Sequence, residues 1–289
     1  MNKDLTLVFS SYQSQHLLKK IAKKFYNKYK IIIIENSCNE EIKKFFESKF
    51  KDIRVIIPKE NLGLAKSYNL GIKNAKTRYV FLNNPDLEIS YQSIKNLLIC
   101  AKNIKNFGVI SPTYKNEKNY KNYELLSPKK NNFSKIFKRF NIIEVDSIDN
   151  NFLIDKKNLN NILFDENFFL YFETIDFTKN LSKKQKKLLV AKKIKFHHHS
   201  SSSLPQAYNN LVNKTRAFHY NWSKFYYCKK NFSYLFALRK IFPNIVKSFK
   251  RLILSLFKLD FENFKISLIE ILGIFTSIFG IKSFYRPKN

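Results

Sequence analysis

Ile31-Ile-Ile-Ile34-Glu35-Asn36-Ser37 is the stretch on which the fold turns. Four consecutive β-branched apolar residues, with no polar residue alternating between them, fit a strand buried on both faces. A carboxylate and an amide follow at once. Upstream, residues 15–30 carry Leu18, Ile21, Ala22 and Phe25 at helical spacing, and residues 5–9 form another short apolar run. Downstream, residues 40–50 read as a helix, 53–57 as a strand, 64–74 as a helix, and 79–82 as a strand that stops at Asn83-Asn84-Pro85-Asp86. Strands alternating with helices predict an α/β fold whose sheet is doubly wound, mixed but mainly parallel, and flanked by helices. Ligands of such sheets bind beyond the carboxyl ends of the strands, where Glu35-Asn36 and Asn84-Pro85-Asp86 fall.

The alternation continues with a helix over residues 93–103 and a strand over 107–111. Residues 114–140, rich in Asn, Lys and Tyr, show no clear period and read as a variable loop. Order returns at Phe152-Leu-Ile154 and runs through residues 164–177, a Lys-rich helix to 187 and a strand over 188–196 that ends in His197-His-His199. The serine run at 200–203 is the natural boundary. It predicts a first domain over residues 1–203 and a basic helical region over 204–289.

With 289 residues and 34.5 kDa, the chain is long enough to bury a full core. Its 44% hydrophobic and 26% charged residues exclude disordered, collagen-like and disulfide-stapled classes. The 53 Lys and Arg against 22 Asp and Glu give a net charge of +31, which favours phosphates, acidic polymers or anionic membranes as partners. That excess is regional: residues 178–289 hold 23 basic against 3 acidic groups. Three scattered cysteines, Cys38, Cys100 and Cys228, form no metal or disulfide framework. The first apolar run is too short for a signal-peptide core, and the stretch 266–279 is too short to span a bilayer. A cytoplasmic location is expected.

Polar clusters recur in a fixed order: Glu35-Asn36-Ser37; Asn61-Leu-Gly63 with Asn69 and Gly71; Asn84-Pro85-Asp86; Glu173-Thr174-Ile175-Asp176; and His197-His-His199. In order and content they resemble the inverting family 2 glycosyltransferases of the GT-A fold, in particular the rhamnosyltransferase-like branch that builds bacterial surface polysaccharides. The resemblance covers residues 5–203, and Trp222-Ser-Lys-Phe-Tyr226 and Phe284-Tyr-Arg-Pro287 also look like that branch. It implies an enzyme that moves a sugar, rhamnose at the level of the branch, from a nucleoside diphosphate sugar to a saccharide acceptor carried on a polyprenyl diphosphate.

The resemblance also implies roles. Glu35 and Asn36 would meet the base and ribose of the donor. Asn61, Gly63 and Asn69 would line the donor at a glycine turn whose helix N-terminus offers free N–H groups to phosphate. Asn84 and Asp86 would face the diphosphate, with Asp86 holding Mg²⁺ or Mn²⁺ to neutralise the departing charge. His197 or His199 would complete the ion's coordination. Inversion needs a carboxylate base opposite the leaving group, and Glu173 or Asp176 would serve. The chain departs from the family's pattern at three points: no glycine follows Asn36, Asn84 replaces an acid, and Thr174 stands where the base usually does.

Interleaved Lys, Arg and aromatic residues in the tail suit helices lying on an anionic membrane, which gives a peripheral location on its inner face. The same residues could line a single-strand nucleic-acid groove. Yet no nucleic-acid module is legible, and acids at the strand ends would repel phosphate unless a metal intervened, so nucleic acid is not an expected partner. A non-catalytic relative that keeps sugar-nucleotide or membrane binding remains the rival reading.

Overall fold

The structure, a computed structural model, describes residues 2–88, 90–115, 121–126, 134–198 and 209–286. These fall into two compact units. One comprises Met1–Glu60, Lys66–Phe164 and Thr174–Leu204. The other joins Pro205–Asn289 with two short segments that the sequence reading put in the first domain, Asn61–Ala65 and Asp165–Glu173.

The first unit opens with β1 (Asn2–Ser11), α1 (Gln15–Phe25), β2 (Tyr29–Glu35), α2 (Glu40–Lys49), β3 (Ile53–Ile56), α3 (Gly63–Asn74) and β4 (Tyr79–Asn83). All seven agree with the elements read from the sequence. The four strands lie in the order β3-β2-β1-β4, every pair parallel. Burial on both faces explains their composition: Ile31, Ile32, Ile33 and Ile34 are all at most 5% exposed, because helices cover each side. Gly71 lets α3 lie against β1, where a β-carbon would come within 2.3 Å of Val8 Cγ1.

After β5 (Leu87–Glu88), α4 (Tyr91–Asn103) is capped by Ser90, whose hydroxyl accepts from the Ser93 N–H. β6 (Phe107–Tyr114), β7 (Tyr123–Glu124), α5 (Lys135–Phe140), β8 (Ile142–Glu144), β9 (Ser147–Ile148), β10 (Phe152–Asp155), α6 (Glu173–Lys183) and β11 (Lys187–His198) complete the unit. β10 inserts antiparallel between β4 and β6, β11 runs parallel to β6, and β5 and β8 pair antiparallel with β11. The sheet is therefore mixed and mainly parallel, as expected.

Within 114–140, the described residues 121–126 and 134–140 hold elements that the sequence reading did not assign. α5 buries Phe137 and Phe140, and β7 pairs with β9. Long-range packing organises a stretch too short-elemented for its period to be seen.

The second unit is built on α7 (Asn209–Asn231), α8 (Tyr234–Phe257) and α9 (Phe261–Ile278), around Phe225, Ala237, Ile241 and Ile274. No helix among the described residues is long and apolar enough to cross a membrane.

Candidate active site

Three adjacent strands end in a polar side chain that is buried and incompletely bonded. Ser11 closes β1, Glu35 closes β2 and is its register partner, and Asn83 closes β4. Glu35 is 0% exposed. Its Oε1 accepts from the Gln13 N–H at 3.2 Å and the Ser37 N–H at 3.1 Å, while Oε2 has no partner among the described residues. Ser11 Oγ and both polar atoms of the Asn83 amide likewise have none among them. A buried polar atom left unbonded costs about 1–3 kcal/mol, so three such side chains at one end of a sheet call for a reason. A ligand at the carboxyl ends of these strands supplies one.

Other expected site residues hold this end together. Asn36 Nδ2 donates to Ser67 Oγ at 3.0 Å and to the Ser11 carbonyl at 3.2 Å, tying α3 to the ends of β1 and β2. Asn69 exchanges two hydrogen bonds of 2.9 Å with the main chain of Phe164. This pairing ties the middle of α3 to the main chain at Phe164.

The Asn84-Pro85-Asp86 turn closes with a 3.2 Å bond from the Leu87 N–H to the Asn84 carbonyl. Asn84 Oδ1 accepts from the Tyr68 hydroxyl at 2.9 Å, and the Asn84 N–H donates to Asn151 Oδ1 at 3.1 Å. Asp86 is 9% exposed. The turn runs directly into β5, whose pairing with β11 sets Glu88 opposite His197 and Leu87 opposite His198. A carboxylate and an imidazole thus come to the same strand pair. His199 lies outside the described residues. Among the described residues no three His, Cys, Asp or Glu side chains gather as a ready-made metal cage.

The start of α6 shares its support with this turn. Thr174 Oγ1 donates to Asp149 Oδ1 at 2.6 Å, and two residues along, Asn151 holds Asn84. Asn150 and Asn151 achieve this in left-handed backbone, with φ of 51° and 53°. Asp176, fully buried, accepts from Asn180 Nδ2 at 3.1 Å. Ser11, Asn83, Asp149 and Asn151 were missed in the sequence. Only the Asp149-Asn150-Asn151 run carried a signal, and it reads as an ordinary turn.

In the second unit Gly63 occupies φ +71°, and a β-carbon on it would meet the Phe169 carbonyl oxygen at 2.3 Å. The Gly63 N–H donates to Asn61 Oδ1 at 3.0 Å and the Leu64 N–H to the Phe169 carbonyl at 2.8 Å. Two of the N–H groups at the start of α3, those of Gly63 and Leu64, are thus taken within the protein. Glu173, 2% exposed, follows Tyr171 and Phe172, two consecutive residues in left-handed conformation at φ 70° and 64°.

A mainly parallel sheet flanked by helices, with unmet polar atoms at the ends of adjacent strands, defines an α/β protein. Residues 14–163, just over half of the 289, match the family described as Glycosyl transferase family 2, and the chain belongs to that family.

Among solved structures it is similar to GalNAc-T7 with UDP, GalNAc and Mn²⁺, at 13% identity and a TM-score of 0.53, with 84% of this chain and 57% of that one covered. The mannosyltransferase PcManGT from Pyrobaculum calidifontis, in complex with GDP-Man and Mn²⁺, matches at 10% identity and 0.54, covering 97% and 88%. Residues 1–349 of S. aureus TarS match at 15% and 0.52, covering 98% and 93%. At such identities the likeness is one of fold. The chain spans little more than half the length of GalNAc-T7. No curated protein sequence matches it.

Proposed function

We propose that the protein transfers a sugar, with inversion, from a nucleoside diphosphate sugar to a saccharide acceptor. The observation that carries this is the set of unmet polar atoms on Ser11, Glu35 and Asn83 at the ends of β1, β2 and β4. Glu35 Oε2 would accept from ring N–H or ribose hydroxyl groups, and the Asn83 amide can both give and take a hydrogen bond there.

Asp86 would hold a divalent cation, together with His197, which the paired strand sets opposite Glu88 two residues further on. Its oxygen suits Mg²⁺ or Mn²⁺, and a site offering one carboxylate leaves room for diphosphate oxygens and water. GalNAc-T7 and PcManGT, solved with Mn²⁺, support this reading. When bound, the ion supplies positive charge against the leaving diphosphate. Asn84 would contact the diphosphate from the same turn, and Asn61 and Gly63 would contribute to donor binding through their glycine turn.

Glu173 or Asp176 would take the proton from the attacking acceptor hydroxyl. Thr174, hydrogen-bonded to Asp149, cannot do so at neutral pH. Rhamnose as the sugar, a polyprenyl-diphosphate-linked acceptor and a role in surface polysaccharide synthesis extend the reading along the family resemblance.

The protein would work on the inner, cytoplasmic face of the cell membrane. In support, α8 carries Leu235, Phe242, Val246, Phe249, Ile253 and Leu256 exposed at spacings of seven, four, three, four and three. Five basic residues and no acid accompany them on that helix. Such a helix suits an anionic lipid surface better than a second copy, whose like charges would repel it.

A thermal-shift screen of nucleoside diphosphate sugars with and without Mn²⁺ tests the reading. One selective donor at a hundred times its Kd should add about 2.7 kcal/mol of stability, and only with the ion. No shift with any donor would contradict it.

A further inference from the structure

The second unit contains a cavity of about 740 Å³, wide open to solvent, between α7, α8, α9 and the segment before Glu173, with Tyr171, Asn213, Arg216 and Tyr220 in its lining. That size suits one or two sugar rings. Its charge is lopsided. Arg251 and Glu270 also line it, but Glu270 is satisfied at both oxygens, by Arg251 Nη1 at 2.9 Å and by Ser248 Oγ at 2.9 Å. Arg216 has no hydrogen bond or ion pair among the described residues, so it is the one uncompensated charge of the lining. Tyr171 and Tyr220 stand edge to face beside it, ring centroids 5.6 Å apart at 81°.

The cavity is close to the candidate base. Burial raises the pKa of the Tyr171 phenol, the Arg216 guanidinium lowers it, and the Glu173 carboxylate raises it, so both charges act on one ring. Left-handed backbone at Tyr171 and Phe172 is uncommon for aromatic residues, and here it turns both rings toward α7, Phe172 meeting Tyr227 at 5.5 Å.

An aromatic wall beside an unpaired guanidinium and the amide of Asn213 is the chemistry of a hydroxylated ring that bears an anion. Arg offers a fixed fork of donors matched to phosphate or carboxylate, and tyrosine faces suit the C–H side of a sugar. We propose that this cavity is the acceptor subsite, and that the acceptor saccharide carries a phosphate or carboxylate gripped by Arg216. The assignment to an acceptor rests on the glycosyl-transfer reading; the anion site itself does not.

Titration calorimetry of the full chain in 0.15 M salt with glucose 1-phosphate, glucuronate and methyl glucoside tests it, on the wild type, Arg216→Gln, and Lys250→Gln as a charge-matched control outside the cavity. At least one anionic sugar should bind tenfold or more tighter than methyl glucoside. The two anionic arms tell phosphate from carboxylate. Arg216→Gln should remove that preference while leaving nucleoside diphosphate binding and the melting temperature unchanged, and Lys250→Gln should keep it. Equal binding by the wild type and Arg216→Gln overturns the proposal, as does an equal loss in Lys250→Gln or no preference for the anion. Arg216-dependent binding in a chain that binds no nucleoside diphosphate would leave the anion site standing and remove the glycosyl-transfer reading instead.

Discussion

Thr174 donates its hydroxyl to Asp149 at 2.6 Å, so the position where an acid was expected is occupied by a donor fixed onto another acid. The proposed base is Glu173 or Asp176, on either side of it. Glu173→Gln should lower the transfer rate by roughly 10²- to 10⁴-fold, the usual share of a general base, and leave donor affinity unchanged. Single-turnover rates alongside donor titrations check this. If Asp176→Asn alone has that effect, the base is Asp176.

Gly63 combines a positive φ with contact to Phe169, and an alanine there can satisfy neither demand. Gly63→Ala should destabilise the fold by about 1–3 kcal/mol, read as a lower urea midpoint at unchanged slope. An unchanged midpoint would remove the close approach as the reason for the glycine.

His219 is buried in the second unit, with Nε2 2.7 Å from the Tyr285 carbonyl and Nδ1 3.1 Å from Ser283 Oγ. Burial, partly opposed by the Tyr285 contact and aided by Arg286, lowers its pKa to about 3. The unfolded chain takes up this proton near pH 6.5 and the folded one does not. Stability is therefore full above pH 6.5 and falls as pH drops toward 3, by up to about 1.4 kcal/mol per unit. Urea unfolding at pH 7.5 and 5.0 should show about 2 kcal/mol of this loss in the wild type and markedly less in His219→Gln.

The exposed apolar row on α8 should bind vesicles that contain anionic lipid and ignore neutral ones. Replacing Val246 and Phe249 together by Asp should weaken sedimentation with anionic vesicles at least tenfold without altering the far-ultraviolet circular dichroism. Equal sedimentation of both proteins would exclude α8 as the contact.

The strands β1 to β4 were legible because Ile31 to Ile34 and the neighbouring strands are buried on both faces, which leaves an unmixed apolar run in sequence. The antiparallel insertion of β10 was not, since Phe152 to Asp155 reads the same in either direction. Glu35 and Asp86 stood out as acids directly after such runs. Ser11 and Asn83 did not, because a lone polar residue at a strand end becomes informative only when its neighbours fail to bond it. Asn69 shows the converse: its place in the glycine box is visible in sequence, and its pairing with Phe164, 95 residues away, is not.

The central claim is that the ends of β1, β2 and β4 receive the donor, with Glu35 as its principal acceptor of hydrogen bonds. Calorimetric titration of wild type and Glu35→Gln with the nucleoside diphosphate sugar selected by the thermal screen measures it directly. A charge-assisted hydrogen bond is worth about 1.5–3 kcal/mol, so affinity should fall by roughly ten- to a hundredfold while the fold keeps its stability. Undiminished affinity in Glu35→Gln would contradict the account.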